Sequence, residues 1–293
     1  MPNDGKTLNE FAEEGAVIQE VTALSRQLGK ARTERDVLKA QVKELESHLD
    51  EAETRGQLFT RLAGHTYKPP TWLTKKPKRG AAVVCTMLSD THFDEVVDPD
   101  EIGGRNEYNR KIAVKRLQTY FQKVLLLTNE YITGLNYQGC VLFLGGDVFS
   151  GDIHEELTET NEDTMLGSVI FWTEQVTAGI NLLVEHFDYV HVPCVVGNHG
   201  RRSYKPRHKL RVRDNFDWFL YKTLEQRFID NDKVTFDVAP GADLLVDVQD
   251  TTYLLTHGDQ ARGGGGIGGI WPPLMRLVAR KRNNIDFDYM VLG

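Results

Sequence analysis

The chain has 293 residues, 26% of them charged and 40% hydrophobic, and its 35 basic and 42 acidic side chains give a formal net charge of −7. This length allows one large domain or a domain with an appendage, and the three cysteines show no paired spacing, which excludes a disulfide scaffold and favours a reduced, intracellular protein. No run approaches the ~18 consecutive apolar residues of a membrane span, and the acidic balance excludes a protein that coats nucleic acid over its whole surface, although it permits a local basic groove.

Residues 1–56 show a heptad-like pattern. Apolar residues recur in alternating steps of four and three from Val17 to Ala52, and only Arg35 interrupts the series. A period of 3.5 residues held over about five heptads is typical of a coiled coil, so we expect a helix that drives homo-oligomerisation. The alternative is a single amphipathic helix that packs on its own domain.

Residues 57–80 read as a linker. They contain Pro69-Pro70 and the basic run Lys75-Lys76-Pro77-Lys78-Arg79. Proline and clustered like charges disfavour a packed element, so the segment is interpreted as solvated, with nucleic-acid contact as the alternative.

From residue 81 to residue 293, short apolar runs alternate with helical stretches. Four of these runs, interpreted as strands, end directly in polar motifs: Ala81–Leu88, Val141–Leu144, Tyr189–Val196 and Thr252–Thr256. Helices are predicted over Asn106–Tyr131 and Asp163–Phe187, and further strands over Val234–Val238 and Leu244–Val248. This alternation predicts an α/β domain whose ligand site lies beyond the carboxyl ends of the strands.

The residues at those strand ends are metal-ligand types without thiolates. Asp90, His92, Asp147, Asn198 and His257 supply carboxylate, imidazole and amide donors. Such donors suit divalent cations of the Mn²⁺, Fe or Zn²⁺ kind rather than a sulfur-rich structural zinc site. One central carboxylate can bridge two cations about 3.5–4 Å apart, an arrangement that clamps a phosphate and activates a water. Each motif alone is weak evidence, but four in order, each closing a strand, predict a metal site.

The same motifs resemble those of the calcineurin-like metallophosphoesterase superfamily. They are Ser89-Asp90-Thr91-His92, Gly146-Asp147, Gly197-Asn198-His199-Gly200 and His257-Gly258. The resemblance implies two packed mixed β-sheets flanked by helices, a four-layer sandwich, and two divalent metal ions, with Mn²⁺ expected. It further implies that Asp90 and His92 hold one metal, that Asn198 and His257 hold the other, and that Asp147 bridges both. In such a site His199 would protonate the leaving oxygen.

The chain departs from this family at its end. The family closes its metal site with a late G-H-x-H motif, whereas here the strand-like Asp288–Gly293 is followed by no residue. We therefore expect a C-terminally incomplete fragment, with the two histidines just beyond Gly293.

A concentrated basic run follows His199. The segment Arg201–Arg213 holds seven Lys or Arg among 13 residues and no acid. Arginine forks bind phosphate oxygens, and a row of them suits a nucleic-acid backbone, so Arg201, Arg202 and Arg207 are predicted substrate contacts. The alternative is a solvated loop paired with nearby acids.

The segment after His257 is rich in glycine and is predicted to be a mobile loop, with Arg262 as a phosphate contact. Together with the basic run it resembles phosphoesterases of phages and prophages. That resemblance implies a cytoplasmic protein of bacteria or of phage-infected cells.

The predicted function is therefore two-metal hydrolysis of phosphodiester bonds, with DNA or RNA as the expected substrate. Two alternatives remain. The first is a phosphomonoesterase that acts on proteins or small molecules. The second is a non-catalytic coiled-coil assembly protein with a degenerate metal domain.

Overall fold

The computed structural model describes residues 69–74, 80–153, 155–205, 209–261 and 269–293, together with short pieces between residues 25 and 43. The chain divides into two compact units, Met1–Gly64 and His65–Gly293. Among the described residues, no helix combines the length and the apolar character needed to cross a membrane.

In the N-terminal unit the described pieces, residues 25–26, 28–30, 32–33, 35–39 and 41–43, are helical. Three apolar side chains of the predicted seam, Leu28, Leu38 and Val42, are more than half exposed there. Most of the predicted coiled coil lies outside the described residues, so self-association of residues 1–56 stays a prediction.

Part of the predicted linker belongs to the second unit and packs within it. Helix α1 (Thr71–Thr74) buries Leu73, and the Trp72 ring stacks on Tyr189 with ring centroids 5.7 Å apart. Apolar burial therefore begins before the first strand of the domain, although the basic residues 75–79 lie outside the described residues.

The larger sheet contains four parallel strands in the order β1 (Ala81–Leu88), β2 (Asn136–Leu144), β3 (Val190–Cys194) and β4 (Val234–Val238). Leu88, Leu144, Cys194 and Val238 are register partners across this sheet. All four carboxyl ends therefore lie in one row, and the loops that follow them meet at one edge. The expectation of two mixed sheets is corrected here, since this sheet is wholly parallel.

The smaller sheet contains β5 (Asp243–Val248), β6 (Thr251–Thr256) and β7 (Tyr289–Leu292). Strand β6 pairs antiparallel with β5 and parallel with β7, so this sheet is mixed, as predicted. A shared apolar core joins the two sheets through Val141 and Phe143 of the first, Val195 directly after β3, and Val246 and Leu255 of the second. The α/β class with two packed sheets is confirmed.

The remaining helices are α2 (Arg110–Leu126), α3 (Glu155–Thr160), α4 (Met165–His186), α5 (Phe216–Arg227) and α6 (Trp271–Arg282). Helix α2 begins later than predicted because the Asn109 side chain accepts a hydrogen bond from the Ile112 N–H at 3.0 Å and caps it. It ends in one π-helical turn, Leu127–Tyr131, where the Thr128 hydroxyl donates to the carbonyls of Val124 and Leu125 and competes with the regular backbone pattern.

Candidate metal centre

Asp90, His92 and Asp147 form the centre of the site. Each offers one ligand atom, and the three atoms all lie within 4.8 Å of one another. Asp90 and His92 follow β1, whereas Asp147 follows β2, so the aligned strand ends bring them together. Two ligands of one cation at bond lengths of about 2.1 Å lie roughly 3–4 Å apart, so these oxygen and nitrogen donors fit a divalent cation with little movement.

The backbone of these loops is held in an unusual conformation. Asp90, His92 and Asp147 have φ angles of 51°, 44° and 48°, in the left-handed region that residues with a Cβ rarely adopt. Backbone hydrogen bonds keep the two loops together, since the Asp90 N–H donates to Gly146 O at 3.0 Å and the His92 N–H donates to Asp147 O at 3.2 Å. Each such residue costs on the order of 1–3 kcal/mol, and such strain concentrates at functional sites.

His257, which follows β6, completes the buried side of the centre. Its Nε2 atom lies 3.1 Å from Asp147 Oδ2, its Nδ1 atom lies 2.8 Å from the Gly145 carbonyl oxygen, and both charged side chains are about 95% buried. Burial acts to lower the pKa of His257, but the hydrogen bond to Asp147 outweighs it and raises the pKa to about 9. Burial acts to raise the pKa of the Asp147 carboxyl group, but the hydrogen bonds and charges of His257 and His199 outweigh it and leave that pKa below its usual value. Without a metal the two residues therefore form an ion pair, and His257 would have to release its proton to hold a cation.

The β3 loop brings His199 to the same carboxylate. The backbone N–H of His199 donates to Asp147 Oδ1 at 2.7 Å, and the Nδ1 atom of the His199 ring lies 3.1 Å from the Ser150 carbonyl oxygen. Because a carbonyl only accepts, Nδ1 carries a proton and the ring orientation is set. The His199 ring meets the His92 ring edge-on, with centroids 4.7 Å apart. Asn198, the residue before His199, is half-buried. Its backbone carbonyl oxygen accepts a hydrogen bond from the Arg201 guanidinium.

Two glycines allow these loops to approach one another. Gly146 has a φ of +93°, and a Cβ there would collide with the backbone of Gly197. A Cβ on Gly197 would in turn collide with the Asp147 carboxylate. Gly293, which follows β7, also reaches the centre, because a Cβ there would lie 2.8 Å from Asp90 Oδ2 and 3.1 Å from His257 Nδ1.

Asp217 is a site residue that sequence reasoning missed. Its wholly buried carboxylate accepts hydrogen bonds from the backbone N–H groups of Asp147 at 3.0 Å, Val148 at 3.2 Å and Gly197 at 2.9 Å. Burial, followed by the charge of Asp147, raises the pKa of Asp217 to about 6. The only sequence signal is Asn215-Phe216-Asp217, which reads as an ordinary helix start, and Asn215 does cap α5. Asp217 thus ties the β2 loop to the β3 loop behind the metal centre.

A second support lies behind Asp90 and His92. Asp94, 2% exposed and with a φ of 69°, accepts two hydrogen bonds from the Arg110 guanidinium, at 2.7 and 2.8 Å. Phe93 stacks on Trp172 of α4 with ring centroids 3.6 Å apart. The loop that carries His92 is therefore attached to α2 and α4.

The predicted substrate arginines have different surroundings. The Arg201 guanidinium donates to the carbonyl oxygens of Asn198, Ser203 and Tyr204, so it braces its own loop. Arg202 is exposed and lies 3.3 Å from Asp214. Arg207 and Arg262 lie outside the described residues, and their substrate role stays a prediction.

The structure therefore brings five of the predicted residues together. Asp90, His92 and Asp147 form a ligand cluster. His257 contacts the Asp147 carboxylate, and His199 contacts both that carboxylate and the His92 ring. No family of known proteins, no curated protein and no solved structure matches the chain. The metallophosphoesterase resemblance depends on the strand-end motifs alone.

Proposed function

We propose that this chain is a metal-dependent phosphoesterase that hydrolyses phosphodiester bonds at the Asp90–His92–Asp147 centre. The single observation that supports this best is the convergence of three strand-end loops on one buried carboxylate, that of Asp147. In this proposal Asp90 and His92 would hold one cation, Asn198 and His257 would hold a second, and Asp147 would serve both. When bound, the cations would supply a Lewis acid for the phosphate oxygens and a nucleophilic hydroxide.

The protein's own contribution is positioning and proton transfer. The Asp147 carboxylate accepts a hydrogen bond from the backbone N–H of His199, which places the imidazole beside the cluster. The backbone carbonyl of Ser150 accepts a hydrogen bond from Nδ1 and so orients the ring. In this position His199 is the group that would donate a proton to the leaving oxygen. The half-exposed side of the centre, at Asp90 and His92, is where the phosphate would enter.

A cavity beside Asp90 and His92 has room for the organic part of an ester. Its volume is about 420 Å³, and Tyr108, Tyr120 and Arg116 contribute to its wall. The Arg116 guanidinium lies over the Tyr108 ring, 5.2 Å from the centroid, so the wall combines a flat aromatic surface with a positive charge. The aromatic surface suits an ester with an aromatic group better than an aliphatic one.

The test uses bis(p-nitrophenyl) phosphate with added Mn²⁺, Fe²⁺ or Zn²⁺. We expect Asp147→Asn to abolish hydrolysis and weaken metal binding, because the carboxylate charge shared between the cations is lost. We expect His199→Gln to retain metal while turnover falls ~10²–10⁴-fold, the usual scale for a lost general acid.

Metal content is measured on the same samples by elemental analysis. Lys123→Ala, an exposed change on α2, is the control and should leave both properties unaltered. Parent-like turnover in Asp147→Asn would refute the proposed centre, whereas loss of metal in His199→Gln would make His199 a ligand rather than an acid.

A further inference from the structure

A second and larger cavity lies beside the segment that follows His257. Its volume is about 750 Å³, and its wall includes Arg211, Arg213, Arg280, Asp259 and Gln260. Asp259 and Gln260 are the second and third residues after His257, while Arg280 comes from the last turn of α6. Two separate parts of the chain thus bring three arginines to one cavity, and a third part adds Asp259 and Gln260.

The charges of this cavity are only partly compensated. Arg211 lies 2.8 Å from Asp259, yet its Nε atom is buried and has no hydrogen-bond partner in the described part of the chain. The Arg280 guanidinium donates to the Gln260 carbonyl oxygen at 3.1 Å, and within the described ranges neither Arg280 nor the exposed Arg213 forms an ion pair with a carboxylate. Three arginines against one aspartate leave an excess of two positive charges.

The ion pair of the cavity is close in the chain to the metal centre. Asp259 is the second residue after His257, whose Nε2 atom lies 3.1 Å from Asp147 Oδ2. Arg211 lies 2.8 Å from Asp259, so the cavity is joined to the segment that leaves the centre. A chain of phosphates that leaves the centre along residues 257–259 would reach the cavity arginines next.

We propose that the cavity formed by Arg211, Arg213 and Arg280 is a subsite for the backbone phosphates of a nucleic-acid strand. The strand's scissile phosphate would lie at the Asp90–His92–Asp147 centre, and in this placement alone the inference rests on the proposed function. Arg213 and Arg280 contact the neighbouring phosphates, and Arg211, held by Asp259, adds positive charge to the same wall.

The experiment measures binding of fluorescein-labelled oligothymidylate by fluorescence anisotropy in EDTA, so that binding is read without turnover. Sodium chloride is varied from about 0.05 to 0.3 M, and the slope of log affinity against log salt is compared between variants. For Arg213→Ala/Arg280→Ala we expect the slope to flatten by about 0.7 to 1.4, at ~0.7 for each phosphate contact with a single strand. Affinity at low salt should fall about tenfold or more.

The matched control is Lys115→Ala/Lys123→Ala, which removes the same formal charge from exposed positions of α2. It should keep the parent's slope. Melting temperatures of all three proteins check that both double variants fold, which the exposure of the four side chains favours.

An unchanged slope in Arg213→Ala/Arg280→Ala, an equal loss in the lysine control, or no oligothymidylate binding by the parent protein would each overturn the subsite. Hydrolysis of bis(p-nitrophenyl) phosphate is measured separately and should survive in the arginine variant. A parent protein that binds oligothymidylate with this arginine-dependent slope but hydrolyses nothing would overturn the proposed function and leave the subsite intact.

Discussion

The two sides of the candidate metal centre are supported in different ways. On the buried side, Asp147 and His257 are almost wholly enclosed, and the Asp217 carboxylate ties the β2 loop that carries Asp147 to the β3 loop through backbone N–H groups. On the open side, Asp90 is exposed and His92 is half-buried. Their loop is attached from behind, by the Asp94–Arg110 ion pair and by the Phe93–Trp172 stack.

This difference suits a site that must keep its geometry and still admit a ligand. Hydrogen bonds to backbone groups fix the positions of residues whatever their side chains do, and they act strongly where water is excluded. An ion pair and a ring stack placed one residue or two beyond His92 hold the open loop without covering its ligand atoms. The buried side sets the geometry, and the open side leaves room for phosphate.

The largest effect is expected at Asp217. In Asp217→Asn one carboxylate oxygen becomes an NH₂ group that faces backbone N–H donors, so at least one buried donor loses its acceptor. We expect a loss of unfolding free energy of about 3 kcal/mol or more, together with weaker metal binding by roughly 10–100-fold. Urea denaturation and metal titration measure the two quantities. If Asp217→Asn kept both at the parent's values, the carboxylate would not organise the centre.

A smaller effect is expected at Arg110. Arg110→Ala leaves the buried Asp94 without its cation, and because Arg110 is itself partly exposed we expect a loss of about 1–3 kcal/mol of stability in urea denaturation. The double variant Asp94→Asn/Arg110→Ala removes the buried charge and should recover part of that loss. A double variant no more stable than Arg110→Ala would mean that the ion pair does not hold the open loop.

The smallest effect is expected at Asp237, where the substitution should increase stability rather than reduce it. Burial and then the charge of Glu225 raise the pKa of its carboxyl to about 6, as in Asp217, but in the described part of the chain its oxygens accept no hydrogen bond. The folded state therefore holds a proton between pH 4 and 6 that the unfolded chain has released, so this group lowers stability as the pH rises through that window.

Asp237→Asn carries no charge, and at pH 7 it should be more stable than the parent by about 1 kcal/mol, allowing for the partial solvation of the carboxylate. Its stability should also fall less between pH 4 and 6, as measured by urea denaturation at several pH values. If Asp237→Asn were less stable than the parent, asparagine would be unfavourable at Asp237 as well as at Asp217. The hydrogen bonds accepted by Asp217 would then not explain its larger effect.

The strands and their terminal motifs were predictable from the sequence. β1 and β4 begin and end as predicted, and β6 differs by one residue at its start. Apolar runs that end abruptly in Asp, His or Gly mark both the end of a buried strand and the start of a ligand loop, and this signal is local. The expected mixed character of the larger sheet was wrong, because strand order and direction depend on contacts between runs far apart in the sequence.

By itself, the sequence determined the α/β class and the strand ends, and it offered the candidate ligands Asp90, His92, Asp147, Asn198 and His257. Only the tertiary structure decided which other groups meet them. Asp217 lies 70 residues from the Asp147 N–H that it accepts, and Arg280 lies 69 residues from Arg211 on the same cavity wall. In a sequence, an aspartate that organises a site looks the same as one that merely starts a helix, and an arginine on a cavity wall looks the same as any surface arginine. What distinguishes them is the burial and the partners that folding supplies.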